Sequence, residues 1–187
     1  MPKIDPAREA LLTALEASGV SIPLWDGILI EETVRIAPGA TILPGCVLRG
    51  NTTIAAGSVI GPGSVLTDAV IGKNCIVKNT YITESTLEEN VSIGPFSQVR
   101  PGCHIAAGCK IGDFVEVKNS HIGQKTAIAH LTYVGDTDCG STKKLQVNMA
   151  NIRKKLGSVP GRNTYILNEL GVGYRMIDED TDTRPES

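Results

Sequence analysis

The 187-residue chain is 41% hydrophobic but has only one Trp, two Phe and four Tyr, which excludes a core organised around large rings. Its formal charge of −2 hides an asymmetry, since residues 1–142 carry 10 basic against 14 acidic side chains and residues 143–175 carry seven against one. No apolar run approaches the ~18 residues that span a bilayer, no secretory leader opens the chain, and the five cysteines form no CxxC pair; a cytoplasmic, reduced protein with no membrane partner is expected.

The first element expected is a helix within residues 1–20. Asp5 can cap it, Pro6 suits its first turn, Gly19 can end it, and Leu11, Leu12 and Leu15 form its apolar side. Such a helix serves to cover one end of whatever follows.

A repeat governs residues 21–139. Aliphatic side chains fall every six residues at Ile36, Ile42, Leu48, Ile54, Ile60 and Leu66. The step shortens to five at Ile71, returns to six at Val77 and shortens again at Ile82 and Leu87. Six-residue steps then run through Ile93, Val99, Ile105, Ile111 and Val117, one five-residue step reaches Ile122, and Ile128 and Val134 follow. A period of six is neither helical nor a simple strand alternation. It fits a short strand and a tight corner, three of which make one triangular coil, so the 18 positions predict about six coils in a prism roughly 30 Å long. Pro38-Gly39, Pro44-Gly45, Pro62-Gly63 and Pro101-Gly102 supply corner chemistry. Two residues before most aliphatics stands a small one, including Cys46, Cys75, Cys103 and Cys109, which reads as buried packing rather than redox chemistry.

In the tail, residues 140–187, the period changes again. Leu145, Met149, Ile152 and Leu156 make a helical stripe over 143–156, with basic and amide side chains over much of the remaining surface. Residues 165–177, YILNELGVGYRMI, read as two strands turning around Leu170-Gly171.

Particular strings carry a family resemblance. IGPFSQVRPG (93–102), IGDFVEVKNSHIG (111–123) and AHLTYVGD (129–136) make the stretch from about Arg8 to Cys139 resemble the C-terminal acetyltransferase domain of the bifunctional N-acetylglucosamine-1-phosphate uridyltransferase/glucosamine-1-phosphate acetyltransferases. The resemblance implies an all-β, left-handed parallel β-helix, against the usual right-handed crossover, assembled as a homotrimer with sites between prisms. It implies acetyl transfer from acetyl-CoA to glucosamine 1-phosphate, a step towards UDP-N-acetylglucosamine and the cell wall. His130 would be the base that neutralises the amine, a task suited to imidazole near neutral pH. Arg100 and Lys118 would hold the sugar phosphate, and Tyr133 would add a hydroxyl. No metal and no uridyltransferase domain are expected. The repeat pattern stops near Cys139, short of the coils that complete the acetyl-CoA site in that family. Eleven residues after Tyr133, where the family places an asparagine, stands Lys144. The acetyl-CoA site is therefore expected to be incomplete.

STKKLQVNMANIRKKL (141–156) and the strands after it resemble the end of a winged-helix DNA-binding domain of OmpR/PhoB-type response regulators, nearest the Kdp regulator. That implies a recognition helix at 143–156, a wing at 165–177, and DNA contacts from Lys144, Asn148, Asn151, Arg153 and Lys155. The two resemblances meet at Asp138–Thr142 without a linker, as a fusion of two fragments would, active or not.

Overall fold

The computed structural model describes residues 5–135 in full, together with the backbone of strands 138–139, 166–169 and 173–176. The chain divides into two units, Met1–Gly140 and Ser141–Ser187. In the second, Ile166–Glu169 and Gly173–Met176 pair antiparallel with Ile166 opposite Met176, as the sequence predicts for a hairpin. The expected helix 143–156, with Lys144, Asn148, Asn151, Arg153 and Lys155, lies outside the described residues.

The first unit is a β-solenoid of about six turns, a left-handed β-helix of hexapeptide repeats with three flat faces of parallel strands. Face one has seven strands: Leu29–Ile30, Val47–Arg49, Val65–Thr67, Tyr81–Thr83, Gln98–Val99, Glu116–Lys118 and Tyr133–Gly135. Face two also has seven: Arg35–Ile36, Thr53–Ile54, Val70–Ile71, Thr86–Leu87, His104–Ile105, His121–Ile122 and Asp138–Cys139. Face three has six: Thr41–Ile42, Val59–Ile60, Ile76–Val77, Ser92–Ile93, Lys110–Ile111 and Ala127–Ile128. All 18 aliphatics of the repeat lie in these strands, stacked in register as in Leu48↔Leu66 and Val99↔Val117. Those from Ile42 to Ile122 are buried. Such columns remove apolar surface at roughly 25 cal/mol per Å².

The prism starts earlier than the six-residue period shows. Ser21 bridges Thr41, which sets buried Ile22 opposite Ile42, and Ile30 pairs with Leu48. Ile30 stands six residues before Ile36 and extends the period by one position, whereas the eight-residue step from Ile22 to Ile30 hides Ile22 from a search for the repeat.

Several of the small residues two before the aliphatics bridge successive turns. Ser58 Oγ donates to the Gly72 carbonyl at 2.7 Å and accepts from Cys75 N–H at 3.0 Å. Ser85 does the same between the Arg100 carbonyl and Cys103 N–H, and Ser97 between the Gly112 carbonyl and Val115 N–H. Cys75 and Cys109 thiols donate to the Glu88 and Gly123 carbonyls. These buried polar groups are thus satisfied, which is what lets Ser, Thr and Cys share a core column with Ala.

Helix α1, Pro6–Ala17, is capped by Asp5, whose carboxylate accepts from Ala7 N–H at 3.1 Å. Gly19 follows at φ +97° and allows the chain to leave the helix. Leu12 is buried in the same core as Ile22 and Ile28, and Leu15 packs against it. Arg8 donates to the carbonyls of Trp25 and Ile28. The helix thereby covers the first turn, as its sequence predicts.

Candidate active site

The site begins with the alternation of face one. Val99 and Val117 point inward on adjacent strands, so the residues that follow them, Arg100 and Lys118, stand outward on neighbouring rungs. Lys118 is in register with Gly135 on the next rung. The residues preceding the inward valines also face out, and this alternation sets Glu116 opposite Gln98 on one side and Tyr133 on the other. Arg100, Lys118 and Tyr133 therefore share one outer surface, as expected.

Glu116 belongs to this group and was not among the residues singled out from the sequence. Its carboxylate lies 3.3 Å from the Arg100 guanidinium. The signal was present in the string EVK, since strand alternation puts Glu116 and Lys118 on the same side. Both members of the pair are partly exposed, so it orients Arg100 more than it stabilises the fold. An anion arriving at Arg100 would share the guanidinium with Glu116.

His130 is exposed and lies at the corner between faces three and one, two residues past inward Ile128. Its carbonyl accepts from the Thr132 hydroxyl at 3.2 Å. The register that pairs Lys118 with Gly135 places His130 five residues upstream of the cationic column, roughly 16 Å of extended chain at most. Within one prism, His130 and the Arg100–Lys118 pair occupy opposite edges of face one.

The same corner carries an apolar ridge. Gly27, Gly45, Gly63 and Asn79 take its left-handed position on the first four rungs, and Phe96, Phe114 and Leu131 take it on the last three, at φ +58°, +53° and +55°. The two phenyl rings stack with centroids 5.2 Å apart. Leu131, next to His130, is 75% exposed. Bulky side chains held at positive φ and left in water are unfavourable twice over. The corner position could have been inferred from the six-residue register, but the exposure could not.

Among the described residues no group of three or more His, Cys, Asp or Glu side chains could hold a metal ion, and no helix is long and apolar enough to cross a membrane.

Against known proteins, the family of bacterial transferase hexapeptides (six repeats) matches residues 33–68 and 84–119. The fold and this match define a hexapeptide-repeat β-helix. The chain is 42% identical over 84 residues to the bifunctional protein GlmU of Acetivibrio thermocellus, covering 43% of this chain and 18% of that protein. It is 57% identical over 53 residues to GlmU of Clostridium kluyveri, covering 28% of this chain and 12% of that protein. The repeat region thus resembles the acetyltransferase part of GlmU, and the match spans less than a fifth of those relatives' length. Among solved structures, the acetyltransferase domain of PglB from Neisseria gonorrhoeae FA1090 in complex with acetyl coenzyme A aligns over 69% of this chain and 62% of that chain, at 16% identity and TM-score 0.31. PerB from Caulobacter crescentus in complex with CoA and GDP-perosamine aligns over 65% and 58%, at 18% identity and TM-score 0.30.

Proposed function

We propose that the prism is an acetyltransferase-type domain that binds glucosamine 1-phosphate between copies of the chain and uses acetyl-CoA as acetyl donor. The observation that carries this reading is the column of Arg100 and Lys118 on adjacent rungs with Tyr133 beside it, in a repeat region that resembles the acetyltransferase part of GlmU. Two cations one rung apart suit a phosphate, with the guanidinium supplying forked donors and the ammonium a point charge.

His130 is the base. It takes a proton from the sugar ammonium, the freed amine attacks the thioester carbonyl, the C–N bond forms as the C–S bond breaks, and the departing sulfur takes the second proton that the attacking nitrogen loses. Because His130 and the cationic column sit on opposite edges of face one, His130 of one prism serves the Arg100–Lys118 column of the next. A homotrimer satisfies this with three equivalent seams. The exposed Phe96–Phe114–Leu131 ridge beside His130 supplies apolar surface for such a seam. The acetyl-CoA half of the site is incomplete, since the repeat pattern gives way near Cys139.

The test is binding of glucosamine 1-phosphate by calorimetry together with thiol release from acetyl-CoA. Arg100→Ala with Lys118→Ala is expected to weaken sugar-phosphate binding by tenfold or more, and His130→Ala to lower turnover by about 10²–10⁴-fold while leaving that binding in place. Turnover that survives His130→Ala overturns the assigned base. Binding that survives the double substitution overturns the phosphate site.

A further inference from the structure

The outer surface of face one carries two columns of residues. Tyr81, Gln98, Glu116 and Tyr133 are register partners on successive rungs and form the first. Thr83, Arg100, Lys118 and Gly135, each two residues further along the chain, form the second. The columns stand roughly 7 Å apart and successive rungs about 4.8 Å apart. Gln98 is exposed, and its amide has no hydrogen-bond partner among the described residues. Glu116, one rung on, leans to the second column, where it meets Arg100 at 3.3 Å. The Tyr133 ring leans the same way and lies over Gly135, the register partner of Lys118. Tyr81, 55% exposed, stands one rung before Gln98. Gln98 and Glu116 are thus the two polar groups of the first column between its tyrosines.

We infer that Gln98 is a specificity-determining residue that reads the C6 hydroxyl of an amino-hexose 1-phosphate, an inference that rests on the sugar-phosphate reading above. With the phosphate held between Arg100 and Lys118, the pyranose ring lies over the first column. C1 of that ring has two ring neighbours. One is C2, which bears the ammonium; the other is the ring oxygen, beyond which lie C5 and the C6 hydroxymethyl. The ammonium and the hydroxymethyl therefore lie on opposite sides of C1, as Glu116 and Gln98 lie on neighbouring rungs. A carboxylate only accepts hydrogen bonds, so Glu116 suits the ammonium, which only donates. An amide both donates and accepts, as a hydroxyl does, so Gln98 suits the hydroxymethyl side. The reverse placement would set the carboxylate against the ring oxygen, two acceptors with no proton between them. Being neutral, Gln98 does not compete with the phosphate for Arg100, whereas Glu116 already shares it.

The probes are glucosamine 1-phosphate and its 6-deoxy analogue, which differ only in that hydroxyl, each titrated into the full chain by calorimetry. The wild-type chain is expected to bind the 6-deoxy sugar roughly two- to tenfold more weakly, the usual net worth of one hydrogen bond. Gln98→Leu removes the amide and keeps an apolar stem. It should bind the two sugars alike, at about the wild-type affinity for the 6-deoxy sugar, and Gln98→Ala should do the same. A merely structural role would weaken both sugars in equal proportion and leave the wild-type ratio in place. Melting temperatures equal to wild type show that substitutions at this exposed position leave the prism folded. The inference is overturned if the wild-type chain binds the two sugars equally, or if its preference survives in Gln98→Leu and Gln98→Ala. Binding that depends on Arg100 and Lys118 but ignores the C6 hydroxyl overturns this inference alone. Absence of glucosamine 1-phosphate binding by the wild-type chain overturns the sugar-phosphate reading and this inference with it.

Discussion

Replacing Ile60 and Ile128 separately by alanine tests whether the prism behaves as stacked layers. Both isoleucines point inward on face three. Ile60 is wholly buried, between Ile42 on one rung and Val77 on the other. Backbone hydrogen bonds pin the strand on both sides, from Thr41 N–H to the Ser58 carbonyl at 2.8 Å and from Val59 N–H to the Cys75 carbonyl at 2.8 Å. A cavity there cannot collapse, and the cost belongs in the upper part of the large-to-small range, about 3–5 kcal/mol. Ile128 pairs with Ile111 on the preceding rung and is only partly buried, so the same truncation should cost about 1–2 kcal/mol. Urea unfolding followed by far-UV circular dichroism measures both, and hydrogen exchange at Lys110–Ile111 shows whether Ile128→Ala loosens its own rung first. Equal losses for the two variants would refute the nearest-neighbour reasoning.

Glu88→Gln probes, through pH, the face-two contact in which the Glu88 carboxylate lies 2.8 Å from His104 Nε2 and accepts from Ala107 N–H. His104 first, and Ala107 N–H second, hold the Glu88 carboxyl below its ordinary value. Its stabilisation is therefore fully present above the usual glutamate range near about 4.3, and is lost as pH falls through the lower folded value. The wild-type and Glu88→Gln urea midpoints should differ at neutral pH and converge in acid; a gap that stays constant to about pH 3 contradicts the assignment. Burial pushes the Cys46, Cys75 and Cys109 thiols up, and Cys103 is buried as well. These four should resist iodoacetamide in the native chain at about pH 8 and react together once guanidinium unfolds it, whereas rapid native labelling would show an open core. Phe114→Glu places a charge in the exposed corner ridge. Sedimentation should show the proposed trimer replaced by a folded monomer, and an assembly unchanged from wild type would remove that ridge from the seam.

The repeat was legible because its cause is local. A side chain that must point inward once per face leaves a short period in the sequence, and the buried column from Ile42 to Ile122 follows it in steps of six, shortened to five at four places. The five-residue steps at Ile71, Ile82, Leu87 and Ile122 did not obscure it, since each still turns one corner. Ile22 was missed because the eight-residue step to Ile30 has no fixed geometry until Ser21 meets Thr41, whereas Ile30 keeps the six-residue step to Ile36. Arg100, Lys118 and Tyr133 were placed on one outer surface because alternation within a strand is also local.

Other features depended on neighbours across turns. The Arg100–Glu116 and Glu88–His104 contacts join residues 16 positions apart, and whether a carboxylate reaches a cation on the next rung depends on side-chain torsions that no spacing records. The separation of His130 from the cationic column, by the width of a face, comes from the corner between them. The amino-acid sequence by itself determined the period, the inward column, the capped first helix and the outward placement of the candidate site, because each arises from short-range geometry. The tertiary structure decided which outward residues meet, which apolar ones remain exposed, and that one prism holds His130 and the Arg100–Lys118 pair apart, because those follow from how the turns stack.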